Sequence, residues 1–323
     1  MPMLKPVKEK SSLSIMQDIL LCLLVLEGMA VYYYGIRAVI TALIAVATAF
    51  ICDIICIRAR ELKPDIRDLS AIISGLTLAL MLPASVPYYV IVISTSIAVL
   101  IGKHVFGGKG SEIFSGAAVG YVFSEISFPD AVLLYPRPFD NLSLSSAVDN
   151  TLYHSFSKTM INATSTTSTD FELLLGKFTG PMGTGFVILL AVMGIYLALR
   201  RSISGTVLFS QLSVFALFSY IFNGFSINAV KYDMVSGMLL FGAIFLSAVY
   251  PYLPSGRSDR IIYGIITGIF LCIFRYYALT ENPIVYAVIL AAPIGIAADS
   301  RRAEKQTKDA SSVKNNEGET VNG

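Results

Sequence analysis

The segment Ile19–Tyr34, ILLCLLVLEGMAVYYY, decides the class of fold. Its only charge is Glu27, and similar apolar runs follow one another almost without interruption to residue 298. A water-soluble domain of this length could not bury so many such runs. A bilayer could, since a hydrocarbon core of about 30 Å is crossed by ~20 residues of helix. Composition agrees: 55% of residues are hydrophobic and 14% charged, and the mean hydropathy is +0.69. The chain reads as an all-α, polytopic membrane protein.

Punctuation by proline, glycine and charge places about ten transmembrane helices, near 19–35, 38–57, 69–83, 87–102, 113–128, 182–199, 205–222, 234–250, 261–277 and 283–298. Pro83 and Pro87 bracket one tight turn, because proline has no amide hydrogen for a helix ladder. With the N-terminus placed in the cytoplasm and the sides alternating, 18 of the 24 basic residues fall inside. Basic residues accumulate in cytoplasmic loops, so both termini are expected there. The net charge of +2 is no argument for nucleic acid, because the basic residues lie between spans.

This division gives a cytoplasmic N-terminal segment (1–18), a transmembrane domain (19–298) and a disordered, polar cytoplasmic tail (299–323). No cleavable signal peptide is expected, because no small-residue cleavage site precedes a soluble domain. The longest connection, about 129–180, falls outside the cytoplasm, is rich in Ser and Thr, and carries His154. Long loops among otherwise short connections tend to be functional or disordered.

Few residues offer chemistry. The four cysteines (Cys22, Cys52, Cys56 and Cys272) lie in apolar segments and read as small hydrophobes, with no CxxC pair. The Gly-rich stretch Ile101–Gly110 permits a tight connection, or an anion held at the following helix start. Glu27 sits deepest of the charges inside spans, and an intramembrane carboxylate is a functional candidate by its cost alone. It is the candidate for an ion path. Asp53 and Glu125 lie close enough to the span ends to be read as solvated and structural. No catalytic triad and no metal-ligand constellation is present.

Ser74-Gly75-Leu76 in the third span is echoed by Ser236-Gly237-Met238 in the eighth. Glu112-Ile113 before the fifth is echoed by Glu281-Asn282-Pro283 before the tenth. These are counterparts if the chain is two five-helix halves of inverted orientation, an arrangement that places sites at the repeat interface.

Particular residues carry a family resemblance. Ser74-Gly75 through Leu82-Pro83-Ala84-Ser85-Val86-Pro87-Tyr88-Tyr89 resembles a TGLLLALxLPPSxPWW signature. Gly102-Lys103-His104-Val105-Phe106-Gly107-Gly108 resembles GKxxFGG, and Phe114-Ser115-Gly116-Ala117-Ala118-Val119-Gly120 resembles FNPAAVG. Ile126-Ser127-Phe128-Pro129, Leu173-Leu174-Leu175-Gly176 and Ser236–Ala243 continue the series in order. These are similar to the D subunits of Rnf electron-transport complexes and the related B subunits of sodium-pumping NADH:quinone oxidoreductases.

The resemblance implies a subunit of an ion-translocating oxidoreductase in a bacterial plasma (inner) membrane. Its partners would be the other membrane and peripheral subunits and membrane lipid. The complex would couple electron transfer between ferredoxin and NAD, through flavin, to sodium or proton movement. The resemblance also implies FMN joined by a phosphoester to a threonine of the long loop, in a motif like D-x-x-SGAT-P. Here Asp149-Asn150-Thr151-Leu152-Tyr153-His154-Ser155 stands in that place, so Ser155 occupies the acceptor position; Thr151 and Thr164 are weaker alternatives, Thr164 keeping an Ala-Thr pair but lying too near Leu173 for the usual spacing. The flanking residues that guide attachment are replaced by Leu152, Tyr153 and His154, and Ser115-Gly116 replaces the proline of FNPAAVG. Covalent flavin is therefore not expected on this chain. The alternative is a divergent member without covalent FMN, acting as a membrane scaffold or a transporter of a flavin-like small molecule.

Overall fold

The computed structural model describes residues 12–61, 68–106, 113–140, 142–145, 152–161, 176, 178–249, 253–254, 256–298 and 300. Helix α1 spans Ser12–Tyr34 and turns at Gly35 into α2, Ile36–Ala59. Along α2 the inward positions are small: Ala38, Ala42, Ala45 and Ala49 are all buried. This spacing of four, three and four residues makes one smooth seam, which lets neighbouring backbones approach closely where lipid supplies no hydrophobic drive. The outward faces are apolar and exposed, with Leu24, Leu43, Phe209 and Leu217 each more than half accessible. In water that pattern would be a liability; in a bilayer it is the contact with lipid.

Helix α3, Ser70–Met81, stops where Leu82 turns extended ahead of Pro83, and Pro87 opens α4, Tyr88–Val99. The proline bracket read from the sequence is thus a real break. A π-helical turn, Leu100–His104, prolongs α4. Helix α5, Gly116–Ser127, lies against α4 so closely that a Cβ at Gly120 would stand 2.6 Å from the Ser94 carbonyl oxygen.

The connection read as one long loop contains local structure. A short helix α6, Pro129–Val132, leads to a two-stranded hairpin. Its strands are β1, Leu134–Tyr135, and β2, Tyr153–His154, paired antiparallel with Leu134 opposite His154. Helix α7, Phe156–Ile161, follows at once, and a 3-10 turn, Met182–Thr184, returns to the bundle, where the Met182 amide donates to Leu82 O at 3.3 Å.

The second half comprises α8, Val187–Leu199, and α9, Gly205–Phe222, the latter capped by the Ser204 hydroxyl. Helix α10, Ile227–Val235, meets α11, Leu239–Gly242, at a bend of 62°, and a π turn, Ala243–Ser247, extends α11. The break falls at Ser236-Gly237, where Gly237 has φ +63° and any Cβ would meet the Glu281 carbonyl oxygen at 2.8 Å. Helix α12, Arg257–Tyr276, and α13, Pro283–Ala298, complete the described bundle. One apolar core runs through it, including Leu23, Leu26, Leu80, Met81, Phe241 and Val285.

The architecture is helical and apolar throughout, but among the described residues three helices alone are long and apolar enough to cross a membrane unaided: α1, α2 and α9. Counting the bent pair α10–α11 as one span gives up to four that length and composition alone identify among the described residues, where hydropathy suggests ten. The reason is physical: a helix such as α3, with 12 residues, reaches only about 18 Å at 1.5 Å per residue. Broken helices keep their backbone satisfied by lying against protein. Residues 1–11 and 301–323, which hold most of the expected N-terminal segment and tail, lie outside the described residues.

Candidate functional site

Glu27 projects from the middle of α1 between the buried Leu26 and Ala30, and is itself only 9% exposed. Neither carboxylate oxygen has a hydrogen-bond partner among the described residues. An unpaired carboxylate inside a helical bundle is costly, so the position is one that can take up a proton or a cation.

The richest polar constellation lies at the end of the bundle where α1 turns into α2. Arg37, 1% exposed, opens α2 and is held entirely by oxygen acceptors. Its Nε donates to Ala84 O at 2.6 Å, and its terminal nitrogens donate to Val86 O, Ser143 O and Ser145 O at 3.2, 2.5 and 2.6 Å. One planar fork thereby fixes both the proline-bracketed break and a piece of the long connection. The Ser85 hydroxyl donates to Leu134 O, tying the same break to the hairpin.

The hairpin delivers Ser155. Its hydroxyl accepts from the Lys158 amide at 3.1 Å, capping the first turn of α7, and also reaches the carboxyl of Glu281. Ser155 is 2% exposed and Glu281 4%. Burial pushes the Glu281 carboxyl above its ordinary range, against the opposing pull of Ser155, Tyr135, Lys158 and Arg275. A phosphoester needs a hydroxyl open to solvent and an environment kind to a phosphodiester anion. The Ser155 hydroxyl has neither, being buried beside a carboxyl. It does not fit the acceptor role for FMN. Thr151 and Thr164 lie outside the described residues.

Behind Glu281 stands an ion-pair network. Arg275, at the end of α12, donates to Asp233 Oδ1 at 2.9 Å, to Ser236 Oγ at 3.0 Å and to Ser157 Oγ at 2.6 Å. Ser157 in turn donates to Glu281 O, while Ser219, Asn223 and Tyr276 all donate to Asp233 Oδ2. The guanidinium ties α12 to α10 and α7, and the Asp233 carboxylate brings in the end of α9 through Ser219.

A second network lies at the opposite end of α2. Lys103, on the π turn after α4, is 2.8 Å from Asp53 Oδ1 and 3.2 Å from Asp68 Oδ2, and His104 Nε2 is 2.7 Å from the same Asp53 oxygen. Burial pushes Asp68 up, but the Ser70 hydrogen bonds and Lys103 more than offset it and hold its carboxyl below the ordinary range. Asp53 is 7% exposed and Glu125 8%, so the reading of both as solvated is corrected. Partners from distant segments bury them: Lys103 and His104 for Asp53, and Tyr286 for Glu125. The Gly-rich stretch turns Lys103 and His104 inward onto carboxylates; its residues 107–110 lie outside the described residues.

Of the candidate residues, Ser155 is drawn into a polar cluster and Glu27 is not hydrogen-bonded to it. Sequence reading passed over Arg37, Arg275 and Glu281 as functional centres. The one signal for Glu281 was its place in the repeat echo, just before Pro283. All four cysteines are free thiols, and no group of three metal-ligating side chains gathers among the described residues.

A family model described as the NQR2, RnfD, RnfE family matches residues 6–296. The chain is 29% identical to the D subunit of the ion-translocating oxidoreductase complex of Haemophilus influenzae strain Rd, over 81% of this chain and 84% of that protein. It is 26% identical to the protein of the same name from Halorhodospira halophila, over 86% of each. The corresponding protein of Alcanivorax borkumensis is also 26% identical, over 82% of this chain and 84% of its own.

Proposed function

The chain belongs to the NQR2, RnfD, RnfE family, and from that premise we propose that it is the D-type membrane subunit of an Rnf-like complex in a bacterial inner membrane. In that complex, electron transfer between ferredoxin and NAD drives sodium or proton movement, and the other subunits are its partners. The match along residues 6–296 is the observation that carries this reading. The relatives' shared name gives the scaffold-or-transporter alternative no support.

The proposed topology is ten crossing segments in two inverted halves, with both termini cytoplasmic. Two networks support it. Lys103 ends the fourth helix of the first half and is held by Asp53 at the end of the second and Asp68 before the third. Arg275 ends the fourth helix of the second half and is held by Asp233 before its break, with Ser219 at the end of its second helix joining the same carboxylate. The same device thus recurs in both halves, at opposite ends of the bundle. A reporter fused after Ser157 should behave as extracytoplasmic and one fused after Arg201 as cytoplasmic. The reverse result would overturn this orientation.

Glu27 is the proposed ion-path group within this subunit, on the strength of its unpaired, interior carboxylate. Glu27→Gln keeps the shape and removes the charge. It should leave the chain folded and cut ion-coupled turnover by at least about tenfold, ~1.4 kcal/mol on the barrier. Unchanged turnover would reduce Glu27 to a structural contact.

The burial of Ser155 beside Glu281 supports a chain without covalent FMN at that position. Mass spectrometry of the loop peptide from the denatured chain should show Ser155 unmodified. An FMN adduct on Ser155 would contradict this; an adduct on Thr151 or Thr164 would relocate the acceptor.

A further inference from the structure

A cavity of about 350 Å³ lies where α1 turns into α2, within the roughly 300–1,000 Å³ range of small-ligand sites. Tyr32, Tyr33, Phe139, Asp140, Arg37 and Ile36 are among the residues that line it. Three of the rings pack edge to face on one another. Tyr32–Tyr33, Tyr32–Phe139 and Tyr33–Phe139 have centroids 5.4, 5.5 and 5.2 Å apart and planes crossed at 65°, 88° and 68°. Three such contacts use at most three of the six ring faces, and Tyr32 and Phe139 are each more than half exposed, so ring face is left open. Phe139 holds its place at a cost: its φ is +69°, a left-handed conformation rare for an aromatic residue. Its amide donates to Tyr33 O at 2.8 Å, which fixes it over the end of α1.

Two opposite charges stand in the same wall without cancelling. Asp140 Oδ2 accepts from the Arg137 amide at 3.0 Å, while the Arg137 guanidinium lies over the Tyr153 ring, 4.1 Å from its centroid. No basic side chain among the described residues forms an ion pair with Asp140. Arg37 spends its N–H groups on carbonyl oxygens, which are neutral acceptors and leave its charge uncompensated. The mouth of the cavity lies on the lipid-facing surface. Ile36, Leu43 and Phe50, seven residues apart, form one exposed stripe of α2, and Leu21, Val25 and Tyr32 form one of α1. Ile36 and Tyr32 belong to these stripes and to the cavity wall alike.

We propose that this cavity holds the headgroup of an ethanolamine phospholipid. The primary ammonium meets the open ring faces and donates hydrogen bonds to the Asp140 carboxylate. The phosphate sits toward Arg37, which acts through its charge alone because its hydrogens are already committed. The chemistry of the wall selects this class. A headgroup with no cation leaves Asp140 and the rings unmatched, and a trimethylated ammonium has no hydrogen to donate to Asp140. A lipid is the source, because the cavity opens on stripes that are otherwise in contact with acyl chains. Tyrosine rings also collect at membrane boundaries without binding any one lipid, so selectivity among headgroups is what separates a site from a belt.

The full-length chain, delipidated in detergent, is titrated with phosphatidylethanolamine, phosphatidylglycerol and phosphatidylcholine of the same acyl chains, and bound lipid is read by native mass spectrometry. The ethanolamine lipid should bind about tenfold more tightly than either of the others. Asp140→Asn keeps an oxygen for the Arg137 amide and removes the charge, and Phe139→Leu keeps bulk and removes the ring. Each should shrink the preference to about threefold or less. Leu43→Ala, on the α2 stripe away from the cavity, should leave it unchanged. If one of the two cavity variants fails to fold, the other variant and the selectivity of the unmodified chain still decide the matter. Equal binding of the three lipids would overturn the proposal, and so would a full preference kept by a folded Asp140→Asn chain. Free phosphoethanolamine that binds as tightly as the lipid would overturn the lipid as its source. None of these failures touches the family reading, which would fall separately if the chain did not assemble with oxidoreductase subunits.

Discussion

Arg37→Leu should leave little folded protein. The leucine would fit the space, but the carbonyl oxygens of Ala84, Ser85 and Val86 would lose their donor inside the bundle. Those of Ser143 and Ser145 sit nearer solvent and can turn to water. Leaving several buried acceptors unpaired should cost on the order of 3–5 kcal/mol, the range for breaking a buried charged contact from one side. Arg37→Lys should be intermediate, because an ammonium is a point donor and cannot span three successive carbonyls as a planar fork does. Thermal unfolding of the purified variants, followed by circular dichroism, checks the order. An Arg37→Leu protein that melts with the unmodified chain would show that the α3–α4 break stands without its clamp.

Lys103→Met should be the second severe change. It strips the cation from between Asp53 and Asp68 and leaves two buried carboxylates with His104 and Ser70 as their remaining partners. Two like charges in a poorly solvated place should cost on the order of 3–5 kcal/mol. Asp53→Asn alone should cost less, and the double variant should recover part of the loss of Lys103→Met, because it removes one of the stranded charges. That recovery is the coupling a double-mutant cycle reads. Strict additivity of the two changes would mean the contact carries no energy.

The class of fold was legible because hydropathy is a local property. Any stretch such as Ile19–Tyr34 announces its solvent by itself, and Pro83 and Pro87 announce a break wherever they fall. The span read as continuous near 234–250 is instead interrupted at Ser236-Gly237, while its echo Ser74-Gly75 lies inside the unbroken α3. The charged residues were misread because their burial is not local. Asp53 looks interfacial from its place near the end of α2, yet Lys103, fifty residues on, seals it in. Glu125 depends in the same way on Tyr286. Arg37 and Arg275 counted in the sequence only as two of six basic residues on the less basic side. Their roles come from carbonyls and hydroxyls brought in from other helices, which no spacing encodes. Ser155 illustrates the same limit: alignment gave its position in a motif, and only packing against Glu281 gave its environment.

The most direct test of the central claim is ion uptake by inverted membrane vesicles driven by electron transfer between reduced ferredoxin and NAD. Vesicles from cells with the chain, without it, and with it restored would be compared for ²²Na⁺ uptake and for proton uptake. Loss of the chain should abolish redox-driven uptake of one of these ions, and restoring it should bring the uptake back. Uptake that proceeds at the same rate without the chain would contradict its assignment as a subunit of the pump.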